Sequence, residues 1–150
     1  RRGAEIPPMR FSLIAVCFLV AGCASGPPQA ITWQDLKSAQ GLKGKRVVIE
    51  GYPGLDIQNS MDHKGEQTFF LLDRMAGMRS SGGASSVAVT LPAGSGPDQA
   101  ERLPEGYKEK DLKIYCHDGK MVGVKDKVRV TGTLQYPYGP SIDHATIEKL

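Results

Sequence analysis

Long apolar runs are missing from this chain. The longest, Phe11 to Ala21, is broken only by Ser12. As a helix it would reach about 16 Å, well short of a hydrocarbon core of about 30 Å. Metal-type spacings are missing too. The three cysteines and three histidines form no C-x-x-C and no H-x-x-x-H pair. No nucleophile elbow, Walker loop or H-E-x-x-H occurs, so the common signatures of hydrolases, nucleotide enzymes and zinc proteases are absent. A strong basic excess is also lacking. The net charge is +3, and Arg1, Arg2 and Arg10 against Glu5 supply +2 of it, leaving about +1 from residue 23 onward. Nucleic-acid binders draw much of their affinity from phosphate neutralisation. This balance argues against that class.

What is present begins with an address. Arg10 precedes the short apolar run, and small residues close it, as in a secretory signal peptide. The closing residues Val20-Ala21-Gly22-Cys23 resemble the lipobox of bacterial lipoproteins. The resemblance implies that Cys23 is lipidated, that the chain is cut just before it, and that residues 1–22 are discarded. Ala24 in place of Asp after the cysteine implies sorting to the outer membrane, periplasmic face. A transmembrane anchor and an ordinary signal peptide are the alternatives. On the lipobox reading Cys17 leaves with the signal peptide and Cys23 carries lipid. Cys116 is then alone, so no intramolecular disulfide forms. No cofactor is called for.

Residues 23–30 read as a flexible Pro/Gly/Ser tether, and residues 31–150 as one domain. Thr32-Trp33-Gln34-Asp35 has the form of a capping box with Asp for Glu, opening a short helix to about Gln40. Trp33 is read as packing on a barrel wall, with a ligand platform as the alternative. Strands are expected at Lys45–Gly51, Thr68–Leu72, Val87–Leu91, Lys127–Gln135 and Ala145–Glu148, from period-two alternation. Val128, Val130 and Leu134 form the inward row of the fourth. Pro97 suits the first turn of a helix to about Leu103. Lys108–Lys113 reads as exposed, and Ile114–Val122 as a hairpin turning at Asp118-Gly119.

Two strands end alike, in Val47-Val48-Ile49-Glu50-Gly51 and Val128-Arg129-Val130-Thr131-Gly132. Glycine inside a strand marks a bulge or tight bend, as at a barrel corner. This pattern resembles the OB-fold: a mainly β, five-stranded Greek-key barrel with one or two short helices. A different small barrel or a β-sandwich are the rivals. The 34 residues between Leu91 and Asp126 are long for such a barrel.

The OB resemblance implies a ligand face on the second and third strands, flanked by the loops Asp56–Glu66 and Tyr136–Ile142, expected at one end of that face. Tyr136 and Tyr138 are candidate stacking residues, or else pack under their own turn. One of Phe69 and Phe70 must face out, and Phe70 is the candidate. His63 lies in the first loop. The expected function is a non-enzymatic envelope lipoprotein, held to the membrane by lipid and binding a protein, peptide or glycan. The alternative is metal or redox handling by Cys116 with His63, His117 and His144.

Overall fold

The computed structural model describes residues 26–55, 65–75 and 85–150. Along the chain come β1 (Gln29–Ala30), α1 (Trp33–Leu36), β2 (Arg46–Gly54), β3 (Glu66–Leu72) and β4 (Ser86–Pro92). Then follow β5 (Gln99–Ala100), β6 (Ile114–Tyr115), β7 (Met121–Val122), β8 (Val128–Gln135) and β9 (Ser141–Lys149). Cys23 and His63 lie outside the described residues.

Five strands close a mixed barrel in the order β2-β3-β4-β9-β8, with β8 pairing back to β2. Strands β2, β3 and β4 follow one another antiparallel. Strand β8 returns over a long connection to lie beside β2, which is the Greek-key arrangement. Strand β9 then closes the barrel, antiparallel to β8 and parallel to β4. Alternation fixes which face is buried. Val47 and Ile49, Phe69 and Leu71, Val87, Val89 and Leu91, Val128, Val130 and Leu134 all point inward. The outward partners are half-buried. The fold is therefore the small five-stranded barrel expected, with very little helix.

Both repeated glycines sit at corners. Strand β2 pairs with β8 from Arg46 to Gly51, then with β3 from Tyr52 to Gly54. A Cβ on Gly51 would overlap the Leu72 carbonyl and lie 2.9 Å from Trp33 Cζ2. Pro53 is tolerated because β8 no longer flanks β2 there and asks for no N–H. Gly132 lies at the register shift between Thr131 and Thr133, where a Cβ would be 2.5 Å from Ile142 Cγ2.

Several expectations need correction. The capping box forms, with Asp35 N–H donating to Thr32 Oγ1 (3.2 Å) and Thr32 N–H to Asp35 Oδ2 (2.7 Å). However, the α-helix stops at Leu36 and a 3-10 turn follows at Ala39–Leu42, because the next amides bond three residues back. Gln29 and Ala30 are not tether; they pair parallel with Val47 and Val48. Strands β3 and β9 start earlier than the alternation suggests, at Glu66 and Ser141.

The largest correction lies between β4 and β8. No helix starts at Pro97, because Asp98 takes a left-handed φ of 56°, which a right-handed helix cannot continue. The segment instead forms a small second sheet, β5-β6-β7. That sheet turns at Asp118-Gly119 as expected, with Gly119 at φ 83°. It adds Ala100, Leu112, Ile114, Cys116 and Val122 to the barrel core. Leu112 is thus buried within the stretch read as exposed.

Candidate functional site

The outer face of β3 and β4 is the surface where the sequence places a ligand. Strand β3 runs for seven residues, about 20 Å. Phe69 is buried, so Phe70 is the member of the pair that faces out. The registers set Gly54, Phe70, Ala88 and Ser141 side by side in one row across the barrel. Next along the face, Thr68 and Thr90 share a hydroxyl–hydroxyl bond of 3.1 Å.

The turn from residue 136 to 140 caps this row. Ala88 N–H donates to the Pro140 carbonyl (3.1 Å), which docks the turn on β4. Tyr138 at its tip is fully exposed. Tyr136 is different: it packs against the core, and its hydroxyl donates to the Leu36 carbonyl at 3.4 Å. Burial raises its pKa. Of the two tyrosines, only Tyr138 is free to stack.

Of the first flanking loop, Asp56–Glu66, only the last two residues are described. Gly65 enters beside Ala93, whose N–H donates to the Gly65 carbonyl (2.7 Å). That is the Pro92 end of β4, four residues along the ladder from Ala88. The remainder of the first loop, including His63, is outside the described residues.

At the Pro92 end lies a groove of about 440 Å³ that no local sequence pattern foretells. Glu66, Thr90, Pro92, Asp98, Asp143 and His144 line it, with no Lys or Arg among the described lining residues. Asp98 (φ 56°) and His144 (φ 51°) are the two non-glycine residues with left-handed backbone among those described. Such strain collects at functional sites because surrounding contacts must hold it.

The contacts around Asp98 are visible. Its Oδ1 accepts from the Ile147 N–H (2.8 Å) and its Oδ2 pairs with His117 Nδ1 (2.6 Å). His117 N–H in turn donates to the Ile147 carbonyl (2.8 Å). This clasp fastens the small sheet to β9. Asp98 holds the His117 pKa above its usual value, with lesser help from Glu148 and Asp118. A raised histidine pKa stabilises the fold fully below the unfolded value of about 6.5, and the gain is lost as pH rises through the folded pKa. The melting temperature of the wild type should therefore fall relative to His117→Gln as pH rises from about 6 to 8. Parallel melting curves would remove the clasp from the account of stability.

Of the residues of the metal or redox alternative, Cys116, His117 and His144 are described. Cys116 is buried, and burial first of all raises its thiol pKa, which makes it a poor nucleophile. His117 is engaged with Asp98, and His144 lines the groove. Among the described residues no three His, Cys, Asp or Glu side chains are grouped to hold a metal ion. None of the described helices is long and apolar enough to cross a membrane. No protein-family model matches the chain, and no curated protein is significantly similar to it.

Proposed function

We propose that this chain is a lipid-anchored lipoprotein of the bacterial envelope, facing the periplasm from the outer membrane, whose barrel binds a peptide, protein or glycan without transforming it. The address rests on Val20-Ala21-Gly22-Cys23. The binding reading rests on one observation: the β3–β4 face carries Phe70 and the Thr68–Thr90 pair between an exposed Tyr138 and a carboxylate groove. A surface of about 20 Å suits a few sugar rings or a short extended peptide. Carboxylates at Glu66, Asp98 and Asp143 disfavour a polyanion, which agrees with the low net charge of the domain.

Tyr138→Ala tests this reading. The probes are soluble peptidoglycan fragments and a lysine-rich peptide. Losing one stacked ring costs about 1–3 kcal/mol on a nucleic-acid base, and the lower end is expected for a sugar or peptide. Binding of the responding probe should weaken about five- to tenfold. The melting temperature should stay unchanged, because Tyr138 touches no core residue. Unchanged affinity for a probe that does bind would move the contact away from this turn.

A further inference from the structure

A second cleft lies between residues 30–33 and the barrel, along β2. Its volume is about 600 Å³, within the range of small-molecule sites. Ile31, Trp33 and Val48 give it an apolar wall, and Asp73, Lys127 and Arg129 bring charge. The Trp33 ring is fixed, since Nε1 donates to the Glu50 carbonyl (2.9 Å) and the ring edge lies against Gly51.

The charges are unevenly satisfied. Asp73 Oδ1 is buried and has no hydrogen-bond partner among the described residues. Its other oxygen meets the adjacent Arg74, at 3.4 Å. A buried acceptor without a donor is costly, and native structures usually supply one. Lys127 and Arg129 line the same cleft, yet neither forms an ion pair with Asp73. Lys127 Nζ pairs with Glu50 Oε2 (3.4 Å), and Arg129 Nη2 with Glu50 Oε1 (2.9 Å). Arg129 Nη1 is at 3.5 Å from Glu148 Oε2. An ammonium has three donors and a guanidinium five, so both cations keep donors to spare.

We propose that this cleft binds a small zwitterion, a molecule with an ammonium group and an anionic oxygen group a few ångströms apart. The ammonium pairs with the Asp73 carboxylate, which lines the cleft together with Trp33, and an aromatic face favours a cation. The anionic oxygens accept from Lys127 and Arg129. Free amino acids and phosphoethanolamine headgroups share this chemistry. The inference stands apart from the β3–β4 face and does not depend on it.

Trp33 is the single tryptophan of the chain, so its emission reports on the cleft. The full chain would be titrated with glycine and with O-phosphoethanolamine, against ethanolamine and inorganic phosphate as half-ligands. A saturable change is expected with at least one zwitterion, and at least tenfold weaker responses to both halves. Asp73→Asn should weaken zwitterion binding about tenfold and leave the weak phosphate response unchanged. Lys127→Gln should weaken both the zwitterion and phosphate responses. Melting temperatures of the variants separate lost binding from lost folding, and either variant alone suffices for the test. Preference for glycine identifies an amino-acid source; preference for phosphoethanolamine, with binding to phosphatidylethanolamine vesicles, identifies a lipid. No saturable response to either zwitterion, or an equal response to ethanolamine alone, overturns the proposal and leaves water as the partner of Asp73.

Discussion

Val130→Asp should unfold most of this domain. Val130 is fully buried and lies in one row with Ile49 on β2 and Ile147 on β9. All three point into the barrel, and no charged side chain is buried among the described residues to pair a carboxylate. Burying an unpaired charge costs several kcal/mol even after the group protonates. Small domains hold only about 5–15 kcal/mol in total. The melting temperature should drop by tens of degrees, or the cooperative transition should vanish. Arg46→Asp is the control, on the neighbouring strand with an exposed side chain. Exposed changes of that kind usually stay within about 0.5 kcal/mol. Equal melting temperatures for the two variants would mean that the barrel faces are assigned the wrong way round.

The strands were legible because their signal is local. Period-two alternation shows in Val47 and Ile49, in Val87, Val89 and Leu91, and in Val128, Val130 and Leu134, and each set proves buried. The paired glycines were legible for a related reason: a corner leaves no room for Cβ, and Gly51 and Gly132 both occupy corners. The capping box and the Asp118-Gly119 turn are equally local. What escaped depends on distant partners. Pro97 is a good helix starter in isolation, but Asp98 is drawn into left-handed backbone where its carboxylate reaches Ile147, 49 residues away. Tyr136 and Tyr138 look alike in sequence; only the packing under α1 separates a core tyrosine from an exposed one. The carboxylate groove was missed entirely, since Glu66, Asp98 and Asp143 come from three separate segments. The cleft at Asp73 is likewise assembled from distant segments, although Trp33, one of its walls, packs on the barrel as its sequence position suggests.

Cys23→Ser should abolish lipidation and processing while leaving the barrel intact. A transferred diacylglyceryl group needs the thiol, so the serine variant has no atom to receive it. The lipoprotein peptidase acts on the lipidated form, and the variant should therefore keep residues 1–22. Incorporation of labelled fatty acid should fall to background. Each buried methylene contributes about 0.8 kcal/mol, and one acyl chain holds only marginally, so losing several chains converts a stable anchor into none. Cys17→Ser is the control: Cys17 sits inside the apolar run, upstream of the proposed cleavage site, so labelling and retention should not change. The melting temperature should also be unaffected, because Cys23 lies upstream of Gln29, where β1 begins to pair with β2. Residues 23–28 alone then bridge lipid and domain, and six residues reach at most about 20 Å. Normal processing and labelling of Cys23→Ser would sink the lipobox reading and, with it, the outer-membrane address.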